Sequence, residues 1–72
     1  MLLKKIKFET SIGIFYGVIE TDNIVTLKDD DRFKLRKLYM FDKIIIYNDT
    51  WLKIILSDSY YGDPEYKYEI IN

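Results

Sequence analysis

The sequence predicts an all-β domain, mainly antiparallel, on three observations. Strand-favouring types (twelve Ile, seven Tyr, four Phe, four Thr, two Val and one Trp) fill 30 of 72 positions, while Ala and Gln, two good helix formers, are absent. Apolar side chains alternate with charged ones over short stretches, the period of a half-buried strand. Clusters of Asp, Asn, Ser and Gly punctuate those stretches at short intervals. Five to seven short strands in one compact unit, residues 1–72, imply a sheet curled on itself. That means a small curled sheet or an SH3-like barrel, which also hides exposed edges.

Each element follows in turn. Residues 3–9 alternate Ile6 and Phe8 with Lys5, Lys7 and Glu9, a half-buried strand, before Thr10-Ser11 turns the chain. Residues 12–20 are apolar on both faces, as in a central strand, and Gly13 and Gly17 mark places where the sheet bends. Thr21-Asp22-Asn23 is a turn into a third strand over residues 24–28, and Asp29-Asp30-Asp31 turns the chain again. Residues 32–41 admit two readings. Arg32-Phe33-Lys34-Leu35-Arg36 alternates as a strand with a bulge near Arg36 and Lys37, and a short helix from Asp31 also fits. The strand is preferred.

Asn48-Asp49 lies between Ile44-Ile45-Ile46-Tyr47 and the run from Thr50 to Leu56. Both turn residues tolerate positive φ, so a two-residue type I′ hairpin is expected, pairing Tyr47 with Thr50, Ile46 with Trp51 and Ile45 with Leu52. The tail either forms a last strand through Tyr66, Tyr68 and Ile70 or a short C-terminal helix capped by Asp63 with Pro64 at its first position. The strand is favoured.

Composition also restricts function. With no Cys and no His, disulfide frameworks, thiolate zinc sites and Cys–His or Ser–His nucleophilic catalysis are excluded. Net charge is −1, so no bulk charge attracts nucleic acid or membrane. The longest apolar runs, Leu38 to Phe41 among them, fall far short of the roughly 20 residues that span a bilayer. Met1-Leu2-Leu3 is followed at once by Lys4 and Lys5, so no signal peptide is expected, and the chain reads as a soluble cytoplasmic protein. Abundant Ile, Lys, Asn and Tyr with only two Arg point to an AT-rich coding genome such as that of a phage or mobile element.

Chemistry-bearing patterns are few. Asp29-Asp30-Asp31 lacks the glycine and distal Glu of a calcium loop and reads as a solvated turn. Glu20 and Asp22 have no nucleophile beside them, and no phosphate-binding glycine loop exists. No enzyme, no metal site and no cofactor are therefore expected. Two surfaces remain. Tyr60, Tyr61, Tyr66 and Tyr68, with Asp58, Asp63 and Glu65, make an acidic, tyrosine-rich C-terminal patch suited to a protein partner. Arg32, Lys34, Arg36 and Lys37 place four of eleven cations within six residues, and on a strand the first three would share a face able to track phosphates.

Two stretches resemble the signatures of Sm-like RNA-binding barrels: Gly13, Gly17, Ile19, Asp22, Val25 and Leu27, then Ile46-Tyr47-Asn48-Asp49 with Leu52 and Ile54. The resemblance covers about half the chain and implies a small curled barrel. Thr26 stands where that family's base-contacting Asn would lie, and Tyr47-Asn48 replaces its Arg-Gly, so RNA binding does not carry over. The expected function is a non-catalytic module docking to a protein, such as a small inhibitor or accessory protein. The alternative is a β-barrel, possibly a homo-oligomer, that binds single-stranded nucleic acid through residues 32–37.

Overall fold

The computed structural model describes residues 3–58 and 62–71. Six strands follow one another as β1 (Lys4–Thr10), β2 (Gly13–Ile19), β3 (Ile24–Leu27), β4 (Phe41–Ile46), β5 (Trp51–Leu56) and β6 (Glu65–Ile70), with one helix, α1 (Asp29–Arg36), between β3 and β4. Every strand pairs antiparallel with its neighbour in sequence, and β6 returns to β1, closing an up-and-down barrel. The expected all-β barrel is what the chain forms.

Alternation explains the core. Ile6 and Phe8 of β1, Phe15 of β2, Val25 and Leu27 of β3, Phe41 and Ile44 of β4, and Leu52 and Ile54 of β5 point inward and are buried. Each contributes about 1.5–3 kcal/mol by leaving water, which offsets the ordering of so short a chain. Among the described residues, Thr10 is the buried polar one. Its hydroxyl donates to the Gly13 carbonyl at 3.3 Å and accepts from the Ile12 N–H at 3.2 Å, so the tight Ser11-Ile12 connection leaves no polar atom stranded. Rings line the seam between β1 and β6. Phe15 stacks on Phe8 with centroids 5.7 Å apart, Phe8 meets Tyr66 at 6.2 Å, and Tyr66 meets Tyr39 at 6.3 Å.

Gly17 faces Leu27 across the β2–β3 ladder. A Cβ at this position would lie 2.6 Å from Val25 Cγ1 and 3.1 Å from Leu27 Cδ2, so only glycine lets β3 fold so closely over β2. The β2–β3 connection holds Asp22 and Asn23 at φ 57° and 60°, with the Ile24 N–H bonded to the Thr21 carbonyl at 3.2 Å. These are the mirror-image dihedrals that suit the twist of a hairpin.

Two local expectations are corrected. First, residues 29–36 form a helix, where the favoured reading had a strand. Three Asp occupy the first turn and Lys34 and Arg36 the last, both favourable to the helix dipole. The barrel also requires a plug there, because β3 and β4 pair only at Ile24–Ile45 and Val25–Ile44. Leu35, 0% exposed, fills that gap. Second, the hairpin at Asn48-Asp49 is not type I′. Asn48 Oδ1 accepts the N–H groups of Thr50 and Trp51, both at 2.9 Å, and this side-chain turn lengthens the loop by one residue. Ile46 therefore pairs with Leu52 and Ile45 with Lys53, one position from the expected register. The tail is a strand, as the favoured reading had it, and the helical alternative does not form. The Pro64 carbonyl accepts the Ile54 N–H at 2.9 Å, and Asp63 Oδ1 takes the Leu56 N–H at 3.0 Å, so Asp63 ties the chain to β5 and caps no helix. Among the described residues no helix is long and apolar enough to cross a membrane.

Candidate functional site

The C-terminal patch divides by strand alternation. Tyr66 and Tyr68 point inward and pack half-buried against the core, while Glu65, Lys67 and Glu69 point outward. Both tyrosine hydroxyls are engaged: Tyr66 bonds the Tyr39 hydroxyl, and Tyr68 donates to the Asn48 carbonyl at 2.8 Å. Burial first, then the Tyr39 hydrogen bond and the charge of that neighbour, push the Tyr66 hydroxyl up to about 12. Burial also raises Tyr68, with Asp49 adding to it. These rings thus complete the interior, while Asp58 and Glu65 are exposed and the half-buried Asp63 is bonded to the Leu56 N–H. Tyr60 and Tyr61 lie outside the described residues.

The basic segment also divides, because it is helical. A two-residue step turns about 200° round a helix, whereas a four-residue step returns to nearly the same side. Arg32 and Arg36 therefore share one flank of α1, facing the gap between β3 and β4, and Lys34 lies away from them. Lys43 of β4 joins the two arginines in lining a cleft of about 150 Å³, which Lys34 and Lys37 do not line. Lys37 lies instead over the ring of Phe33, 5.4 Å from its centroid. The continuous stripe of Arg32, Lys34 and Arg36 expected of a strand does not exist.

The most unusual surface is the outer wall of β2. In a closed barrel, outward positions face water and are ordinarily polar, as they are on β6. On β2 they are Ile14, Tyr16 and Val18, and Ile12 precedes them. Ile12, Ile14 and Tyr16 are 49%, 52% and 52% exposed. Across the ladder Tyr16 lies opposite Lys7, Val18 opposite Lys5 and Ile14 opposite Glu9. Beside this wall runs a groove of about 230 Å³ whose lining includes Tyr16, Val18, Thr26 and Ile71, with Lys5 and Lys28 as its only charged members. The sequence carried the signal, since residues 12–20 are apolar on both faces. Reading that pattern as a strand buried on both sides concealed its meaning, for among the described residues no second layer covers it.

Among the described residues no three His, Cys, Asp or Glu side chains gather as a metal site. No family model, no curated protein and no solved structure matches the chain, so the Sm-like resemblance stands on the quoted residues alone.

Proposed function

We propose that this chain is a non-catalytic module that docks to a protein, and that its contact face is the outer wall of β2. One observation carries the reading: Ile12, Ile14 and Tyr16 form a contiguous row of half-exposed apolar groups on a barrel wall that alternation should leave polar. A contiguous apolar patch rimmed by charge is the usual mark of an interaction site. Lys5 and Lys28 supply the charge of the adjoining groove, which selects a partner whose apolar contact is bordered by Asp or Glu. Such a module works by occupancy, as an accessory or inhibitory chain does.

The test pairs two walls of one barrel. Tagged wild-type protein, an Ile14→Glu/Tyr16→Glu variant and a Glu65→Lys/Lys67→Glu variant are used to capture partners from host lysate treated with nuclease. A protein retained by wild type and by the β6 variant, and lost by the β2 variant, supports the reading. Equal capture by all three would sink it, provided circular dichroism shows each variant folded.

A further inference from the structure

Where β3 and β4 diverge beyond Val25 and Ile44, the flank of α1 and the two strands enclose a cleft of about 150 Å³. Arg32, Arg36 and Lys43 line it, and Asp42 is its single carboxylate. Neither Asp29, Asp30 nor Asp31 reaches it. Among the described residues, none of the three cations forms an ion pair, and Asp42 accepts the Ser57 hydroxyl at 2.9 Å. Arg36 is held in place by the ring of Phe41, 5.3 Å from its centroid. Three cations line the cleft against one carboxylate, and a bound anion offsets the excess positive charge. Arginine's planar fork matches phosphate oxygens two at a time.

An exposed aromatic surface lies next to the cleft. Phe33 follows Arg32 on the helix and is 68% exposed, Met40 is 74% exposed, and Lys37 adds a fourth cation over the Phe33 ring. A phosphate clamp, a solvent-facing ring and a further cation beyond it form the repeating pattern of a single-stranded nucleic acid site, in which bases stack while the backbone follows positive charge. An acidic peptide would satisfy the arginines but has no use for the ring. We propose that the α1–β4 cleft binds consecutive backbone phosphates of single-stranded nucleic acid, about one to each of Arg32, Arg36 and Lys43, with a neighbouring base on Phe33. The site is separate from the β2 wall, and its success or failure leaves protein docking untouched.

Fluorescence anisotropy with a labelled oligothymidylate tests the site. With about three phosphates engaged, raising salt from 50 to 200 mM should weaken binding about 20-fold. Arg32→Gln and Lys43→Gln should each weaken it several-fold and make the salt slope shallower by about 0.7. Phe33→Ala should weaken it at least about fivefold with the slope unchanged. Lys34→Gln, away from the cleft, should stay within about twofold. Arg32, Lys34 and Phe33 are exposed, so these variants fold, and their amide spectra verify it. Undetectable binding at 50 mM salt overturns the proposal, as does salt-independent binding. Equal losses at Lys34 and Arg32, or equal competition by a Glu-rich peptide of matched charge, also overturn it.

Discussion

Strands β2 and β6 flank β1 on its two sides and resemble each other inside the barrel, but they differ outside it. Inward, β2 contributes Phe15 and β6 contributes Tyr66 and Tyr68, rings that pack along the same seam. Outward, β6 presents Glu65, Lys67 and Glu69, while β2 presents Ile14, Tyr16 and Val18. Lys7 of β1 lies between these walls and turns its ammonium to Glu69 at 3.7 Å, with Tyr16 as its neighbour on the other side. That exposed pair contributes at most about 1 kcal/mol, so it does not explain why one wall is charged. Folding requires only the inner alternation. Stability does not require an apolar outer wall on β2, and the docking proposed above accounts for it.

Four experiments break or sharpen this contrast, beginning with the largest effect. Phe15→Ala, which empties a fully packed inner position on β2, should cost about 3–5 kcal/mol in urea denaturation. Tyr68→Phe on β6 removes only a hydroxyl bond and should cost about 1 kcal/mol. Equal costs would erase the inner difference. Gly17→Ala should cost about 1–3 kcal/mol by crowding Val25, whose branched side chain has little room to turn. Ile14→Lys with Tyr16→Lys should change stability by no more than about 0.5 kcal/mol per site and should abolish partner capture. A large loss of stability would instead make the β2 wall part of the core. The last effect is set by pH. The folded-state value for Tyr66 is raised to about 12 from its ordinary 10, so the unfolded chain ionises first. The stability from this group is whole below pH 10 and drains away between about pH 10 and 12. In melts across that window, Tyr66→Phe should lose less stability than wild type, with the raised Tyr68 leaving a residual slope.

Most of the barrel was legible because its strands alternate, and Ile6, Phe8 and Phe15 declare their side from neighbouring residues alone. Helix α1 was legible only as the second of two readings of residues 32–41. Arg32-Phe33-Lys34-Leu35-Arg36 alternates as well as any strand, and Phe33 and Leu35 share a face only if the segment is extended. What selects the helix is distant: β3 and β4 part after two residue pairs, and Leu35 fills the opening. The one local clue was the run of three Asp, which suits a first helical turn as well as a surface turn. The hairpin slipped by one residue for a similar reason, since Asn48 formed its turn with a side-chain oxygen and kept a negative φ. The candidate surfaces were partly legible. Both apolar faces of β2 can be read from the chain, but no single strand can say whether a second layer covers its outer face. Lys43 could not be joined to Arg32 and Arg36 before the helix placed them together.

Closure of the barrel by β1 and β6 has a consequence for the order of assembly. Five ladders join strands adjacent in sequence, and the sixth pairs Ile6 with Ile70, Lys7 with Glu69 and Phe8 with Tyr68. Bringing such distant segments together carries the largest ring-closure entropy in the molecule. The seam should be the last ladder to form and the first to part. A parted barrel is an open sheet with two unsatisfied edges, each able to accept the missing strand from another molecule. A swapped dimer exchanging β6 would restore every pairing of the monomer, and at high concentration it competes with refolding. Hydrogen exchange should report this weakness directly, with the β1–β6 amides opening well before those joining Ile44 to Ile54.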